Sequence, residues 1–465
     1  MIELTPYLNR KDNTPLYIQL ANYIKQEIVC GRIKPGERLP SKRKLSSYLG
    51  LSLNTIQTAY EQLNAEGYIE SKPRKGIFVT AFENELSSEE IAPKQWEQVD
   101  NREETINFDF NSGNVDIDHF PYSLWRKITI QSLYEDQGEL FQLGNPQGEL
   151  PLREEIAKHL YASRGVRCQA DQIIIGAGTQ MLIALLVMLI GKDNLYGIEN
   201  PGFHRIKAVM HNLGAKTVPI PLERDGIEIN QLIDSEAKVV YVTPSHQFPN
   251  GMIMPISRRL ELLKWAEMNN GFIIEDDYDG EYRYKGQPIP SLQGLDTKGR
   301  VIYLGTFSKS LIPSIRISYI VLPPSFIHPY QESFTIYKQT ASRLHQETLY
   351  RFMKEGYFQS HLNKMRTLYR KKHGVLMLSI KRYFGNKVKV IGENSGLHIV
   401  LEVKNRMSEE ELIKKALKAG VKVYPLSIYY DGVIDSSPQV LLGFGGLREA
   451  EIDTGISLLK DAWEI

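Results

Sequence analysis

The sequence predicts an α/β protein with a mostly parallel sheet, preceded by a small separate module of short helices and a hairpin. Three observations carry that expectation. From about residue 150, helical patterns alternate with short apolar runs at Gln172–Ile175, Leu195–Ile198, Lys238–Val242, Phe272–Ile274 and Val301–Leu304. Strands spaced by helices favour a parallel sheet. The first 80 residues instead hold three short helical stretches and two short strands. Charge also divides the chain: residues 1–80 carry 12 Lys/Arg against 7 Asp/Glu, and residues 81–105 carry 2 against 8. The net charge of +1 conceals this contrast.

At 465 residues the chain exceeds one ordinary domain. Its 42% hydrophobic and 24% charged content is that of a soluble globular protein. Cys30 and Cys168 show no metal or redox spacing, so both read as structural, as suits a reducing cytoplasm. The start lacks a basic region followed by an apolar run, so no signal peptide is expected. The longest apolar run, Met181 to Ile190, is too short to cross a bilayer and suits a buried helix.

Taken in order, the first helix is expected over Pro15–Cys30, with Leu16, Leu20, Ile24 and Ile28 on one face. Pro35-Gly36 breaks the chain. Ser41 is an N-cap candidate for a second helix with Leu45, Tyr48 and Leu49 on its apolar face, ended by Gly50. Ser52 caps a third helix over Asn54–Glu66, ended by Gly67. Two short helices around a tight glycine turn have the layout of a helix-turn-helix. Strands at Tyr68–Glu70 and Ile77–Val79 flank Lys72-Pro-Arg-Lys75-Gly76, a basic wing suited to phosphate contacts. The alternative is a helical bundle with a solvated basic loop. Residues 81–105 read as an acidic, solvated tether, with room for a short amphipathic helix near Ile91.

In the second unit, the unusual residues fall where strands give way to loops, which is where open α/β sheets bind ligands. Gly176-Ala-Gly-Thr-Gln180 opens a helix and suits a phosphate. Glu199-Asn-Pro-Gly-Phe203 sets an aromatic on a rigid turn. Glu275-Asp-Asp-Tyr-Asp279 ends a strand with acids that need a cation or polar partners. Metal ligation is the rival reading there, but no His-rich constellation lies nearby in sequence, so no metal is expected. Gly305-Thr-Phe-Ser-Lys309-Ser310 and Arg316 follow the last strand. The set fits pyridoxal 5'-phosphate (PLP). A lysine forms a Schiff base with the aldehyde, a carboxylate keeps the pyridine nitrogen protonated, an aromatic covers the ring, and hydroxyls, amides and an arginine hold the phosphate.

Lys34-Pro-Gly-Glu-Arg-Leu-Pro-Ser-Lys-Arg43, Ser52-Leu-Asn-Thr-Ile56 and Leu63-Asn-Ala-Glu-Gly-Tyr68 resemble the winged helix-turn-helix of GntR-type bacterial regulators. The resemblance implies DNA contacts from Ser41, Arg43, Ser52, Asn54, Thr55 and the wing at Lys75 and Gly76. Leu53 stands where an arginine is common. From about 106 onward the chain resembles fold-type I aminotransferases. Ser245-His-Gln-Phe-Pro-Asn-Gly251, Ile274-Glu-Asp-Asp-Tyr-Asp279 and Gly305–Ser310 are closest to the aminotransferase-like half of MocR/GabR-type regulators. Those proteins fuse the same two halves, so the resemblance covers nearly the whole chain. It implies large and small domains, the small one from about residue 370. It also implies Lys309 as the Schiff-base lysine, Asp276 at the pyridine nitrogen, Tyr278 at the ring hydroxyl and Phe203 on the ring. Gly178, Thr179, Gln180, Thr306, Ser308 and Arg316 would surround the phosphate.

Two departures matter. Leu441 stands where working aminotransferases commonly grip the substrate carboxylate with an arginine, and Gly446 where GABA-responsive relatives carry one. Arg205 matches an effector-binding arginine of those relatives. Phe248 replaces an asparagine common near the ring. The expected protein is a cytoplasmic, homodimeric transcription regulator that binds an operator, carries PLP and senses an amino compound or PLP itself. The rival is a working aminotransferase with an added DNA module.

Overall fold

The computed structural model describes residues 4, 6, 8–9, 14–81, 105–135, 138–284, 289–432 and 437–465. Nearly all of the expected acidic tether, with its helix near Ile91, lies outside them. The chain forms two compact units, Met1–Arg102 and Glu103–Ile465.

In the first unit, α1 (Leu16–Val29) buries Leu20, Ala21, Ile24 and Ile28, the four-residue stripe expected of an amphipathic helix. α2 (Lys42–Leu49) and α3 (Leu53–Ala65) are separated by Gly50 in the left-handed conformation. Leu45 of α2 and Ile56, Ala59, Tyr60 and Leu63 of α3 join the same core. Tyr48, expected on the apolar face of α2, is 57% exposed and belongs to the surface. The wing pairs β1 (Ile69–Lys72) with β2 (Gly76–Val79) antiparallel, Lys72 opposite Gly76. Only Ile69 and Val79 of its strands are buried, so the wing is pinned at its base.

The second unit opens with a short strand, β3 (Phe108–Asp109). It then builds an eight-stranded sheet from β4 (Ile173–Gly176), β5 (Leu195–Asn200), β6 (Lys216–Glu223), β7 (Gly226–Ile227), β8 (Val239–Val242), β9 (Phe272–Asp277), β10 (Val301–Thr306) and β11 (Ser318–Val321). The spatial order is β4-β11-β10-β9-β8-β5-β6-β7. Only β11 and β7 run antiparallel to their neighbours. Apolar clusters pack both faces of the sheet, which explains why β4 and β8 are buried at every position. The helix Thr179–Ile190 covers one face with Leu182, Ile183, Leu186 and Val187. It is not buried all round, since Met181 and Met188 are exposed.

The C-terminal part adds an antiparallel sheet of β12 (Val388–Ile391), β13 (His398–Val403), β15 (Tyr424–Pro425) and β16 (Gln439–Gly443), ordered β12-β13-β16-β15. β14 (Val421–Lys422) pairs with β3. The long helix Tyr357–Phe384 and the helix Glu449–Ala462 close its core.

Candidate functional site

Register across the large sheet gathers the loop residues at one edge. Gly176 at the end of β4 faces Ser318 at the start of β11, which faces Thr306 at the end of β10. One register step away, Gly305 of β10 faces Asp277 of β9, and Leu304 faces Asp276. The antiparallel course of β11 thus brings its N-terminal end, with Arg316, to the carboxyl ends of the parallel strands.

On the β4 side, Gly178 is the N-cap of the helix Thr179–Ile190, with φ +100°. That conformation favours glycine. The Arg316 guanidinium lies over it: a Cβ at Gly178 would meet Arg316 Nη2 at 2.0 Å. Arg316 is exposed and reaches the Ala177 carbonyl at 3.3 Å. Thr306 Oγ1 accepts from Ser308 N at 3.2 Å and from Ser318 Oγ at 2.8 Å. Thr179 and Gln180 form the first helical turn, whose amides have no partner within the helix. These groups make a cationic, N–H-rich cradle of the kind that holds an anion.

On the β9 side, Asp276 is buried. Tyr241 of β8 donates to its Oδ2, while its Oδ1 has no partner. Burial pushes this carboxyl up to about 7, with Asp277 and Asp279 adding repulsion and the Tyr241 hydrogen bond opposing. A buried oxygen without a partner is costly, and a cationic ring N–H is the kind of group that would satisfy it. Asp277 is taken up by Arg164 at 2.6 Å and by Tyr303 at 2.6 Å. Glu275 caps the helix Leu292–Leu295 through the Leu292 and Gln293 amides. The acid run is therefore divided: Asp277 is neutralised by a buried guanidinium, whereas Asp276 faces no cation among the described residues and keeps a buried oxygen without a partner.

Lys309 is half-buried, and its amine donates to the Ser112 carbonyl. Burial lowers it to about 8, with the Asp279 carboxylate opposing. Phe203 is partly buried and meets Phe248 edge-on, ring centroids 5.1 Å apart. Phe248 itself packs with Val400, Leu426 and Leu441, so Leu441 is an apolar core residue here. Arg205 is exposed, as is Gly446.

Tyr278 Oη lies 2.9 Å from His246 Nδ1, which is also 2.9 and 3.0 Å from the two oxygens of Asp279. The His398 ring sits 4.8 Å from that of His246. Burial and the neighbouring imidazole push His398 down to about 3, and its Nε2 meets the Pro249 carbonyl at 3.0 Å. Both imidazoles are engaged by protein groups, and the cluster reads as a hydrogen-bonded unit. The fold thus supplies histidines beside the acid run that linear sequence did not. Tyr241, Ser112 and Ser318 were also missed. Tyr241 sits inside an apolar strand and carries no local signal.

In the first unit, Ser41 Oγ caps α2 by accepting from Lys44 N at 3.3 Å, and Ser52 Oγ caps α3 by accepting from Thr55 N at 3.1 Å. Arg43, Leu53, Asn54 and Lys75 are exposed, and Thr55 is half-buried. Gly76, at φ +121°, lies against Arg38, whose Nε would be 2.6 Å from a Cβ there. Arg38 is exposed at the wing and was not singled out from sequence.

The chain matches the family described as bacterial regulatory proteins, gntR family, over residues 16–79, and aminotransferase class I and II over residues 105–456. It is 34% identical to the probable rhizopine catabolism regulatory protein MocR of Rhizobium meliloti, across 98% of this chain and 95% of that protein. The chain belongs to the MocR type of gntR-family transcriptional regulators. The uncharacterized HTH-type transcriptional regulators YdeL and YhdI of Bacillus subtilis are each 47% identical to it, covering at least 98% of either chain. A solved kynurenine aminotransferase of Pyrococcus horikoshii, in complex with PMP, shares 26% identity at a TM-score of 0.68, over 77% of this chain and 91% of that one. MocR-type architecture therefore spans this chain from the winged helix-turn-helix to the last helix. Among the described residues no helix is long and apolar enough to cross a membrane.

Proposed function

We propose that this regulator carries PLP on Lys309 and uses it to sense an amino compound, or PLP itself, while residues 1–80 hold operator DNA. The observation that carries the reading is the buried Asp276 Oδ1, without a partner, one strand from the loop that bears Lys309. Its donor set fits the cofactor. Asp276 would hold the pyridine nitrogen, Tyr278 would face the ring hydroxyl, Phe203 would cover the ring, and Lys309 would bind the aldehyde. Gly178, Thr179, Gln180, Thr306, Ser308 and Arg316 would hold the phosphate. Bound PLP supplies an electron sink and an aldehyde that exchanges amines. The chain's own contribution is to orient the ring and to keep Lys309 neutral enough to react.

Leu441 favours sensing over turnover. Buried among Phe248, Val400 and Leu426, it offers no charge to a substrate carboxylate. Arg205 is left as the candidate anchor for an anionic effector. Ser41, Arg43, Ser52, Asn54, Thr55, Lys75 and Gly76 are the proposed DNA contacts. A homodimer is proposed from the resemblance to MocR/GabR-type regulators.

The test is operator binding by the PLP-free protein, the PLP-loaded protein and the loaded protein with a panel of amines. A footprint or affinity that shifts with loading or with one amine is expected. Identical binding in all three states would overturn the sensing role. A genomic footprint would then identify adjacent genes and, through them, the effector class.

A further inference from the structure

His246 is 2% exposed, and its ring packs closely against Gly396, where a Cβ would meet His246 Cε1 at 1.9 Å. Its Nδ1 faces two partners at once, both Asp279 oxygens and the Tyr278 hydroxyl. An ionised carboxylate only accepts hydrogen bonds. Asp279 straddles Nδ1 with both oxygens at 2.9 and 3.0 Å, the geometry of a carboxylate accepting from an N–H. Nδ1 must then carry the proton. A protonated Nδ1 cannot accept from Tyr278, so at that contact the phenol oxygen is the acceptor and its own O–H is left over.

The other side of the ring is compatible with that tautomer. In the neutral Nδ1–H tautomer, Nε2 is a bare acceptor. Here it is buried without a protein partner, as is Ser395 Oγ. Both residues line a cavity of about 10 Å³ shared with Arg164 and Arg283. That is room for one water, which would donate to Nε2.

We propose that His246 is a positioning residue for Tyr278: as the Nδ1–H tautomer, anchored by Asp279, it fills the lone pair of the phenol oxygen and directs the phenol proton into the site. There the proton would be donated to the cofactor's ring hydroxyl oxygen, so the inference rests on the PLP reading above. Without His246, the Tyr278 hydroxyl has an acidic neighbour, Asp279, to donate to instead.

The test pairs two substitutions. His246→Asn keeps an N–H close to the Nδ1 position. His246→Gln is also polar but moves its N–H toward the Nε2 position. PLP affinity and the absorbance band of the bound cofactor are measured for each, alone and with Tyr278→Phe, and thermal melting checks folding. His246→Gln should weaken PLP about tenfold, the size of one hydrogen bond, and shift the band. His246→Asn should stay within about twofold. In the Tyr278→Phe background the two should be equal, because the group they position is gone. Wild-type affinity and band in His246→Gln would overturn the proposal, as would a Gln effect that persists in full beside Tyr278→Phe. If His246→Gln fails to fold, loss of the band in a folded His246→Asn protein would overturn it equally. Failure of wild-type Lys309 to take PLP at all would instead sink the cofactor reading, so the two failures are distinguishable.

Discussion

The Lys309 amine donates to the backbone carbonyl of Ser112, 197 residues earlier in the chain. Ser112 lies in a segment pressed against β16: a Cβ at Gly443 would meet Ser112 Cα at 2.3 Å, and Gly443 N donates to the Phe110 carbonyl at 2.8 Å. The same segment is held farther on by the buried pair Lys372–Asp116 at 2.7 Å. An amine consumed in a covalent link cannot keep its bond to Ser112. Lys309→Ala should therefore fold, because Asp116 and the β16 contacts remain, and should lose PLP that borohydride can fix to the chain. Retention of a reducible adduct in that variant would refute the lysine assignment. Mass spectrometry after reduction reads the outcome directly.

Only the neutral amine attacks an aldehyde. With Lys309 at about 8, capture of PLP by the cofactor-free protein should reach half its plateau rate near pH 8. An ordinary lysine would do so above pH 10. Because the folded value lies below that of the unfolded chain, the unfolded state binds the extra proton between these limits. The Lys309 contribution to stability therefore rises with pH across that window. Stopped-flow absorbance from pH 6.5 to 9.5 checks the rate, and a midpoint above 9.5 contradicts it.

Asp276 should show the opposite slope. Its carboxyl is raised to about 7, so the folded chain holds a proton that the unfolded chain has released. Stability of the cofactor-free protein should fall as pH climbs from about 4 to 7. Asp276→Asn should make that fall shallower, since Glu199, Glu275 and Glu281 are raised to about 7 as well, while weakening PLP binding by tenfold or more, on the order of one charge-assisted hydrogen bond. Denaturant titrations of both proteins across that range, with PLP binding at pH 7.5, test the trade.

Arg43 is exposed on α2 with no ion pair among the described residues. Arg43→Ala should weaken operator binding by about 1–3 kcal/mol if it makes a bidentate base contact. Binding by residues 1–80 should also fall steeply with salt. Equal affinity of mutant and wild type at physiological salt would remove Arg43 from the interface.

Turnover should be slow. Leu441 sits in the apolar cluster around Phe248, and transamination depends on a rigidly held substrate carboxylate. Steady-state release of keto acid from common amino acids should stay below about 1 per second, the low end of ordinary enzyme rates. Efficient turnover would restore the aminotransferase reading.

The winged module and the parallel strands were legible because their signals are local. Ser41 and Ser52 cap where their hydroxyls lead the helices, and apolar runs mark β4, β5, β8, β9 and β10. β6 and β11 were missed. The two prolines in Lys216–Glu223 obscure β6, and β11 (Ser318–Val321) follows the loop 309–316 without an α-helix between, so it breaks the strand–helix alternation that marks the others. At the proposed site, Asp276 near the end of β9 and Lys309 in the loop after β10 were singled out by their positions. Tyr241, His246 and His398 were not, because their roles exist only once β8, the loop after it and β13 are packed together. Tyr48 misled because helical spacing marks a face without saying what covers it.

β11 runs against the direction of β10 and starts where β10 ends, so Thr306 and Ser318 meet after a loop that carries Ser308, Lys309 and Arg316. The proposed Schiff-base lysine and the proposed phosphate arginine therefore occupy one continuous hairpin. Transplanted as a piece between related chains, that hairpin would bring both with it and leave Asp276 behind on β9. If the proposed roles hold, recombination can then exchange how tightly the cofactor is held without touching the acid proposed to tune its ring.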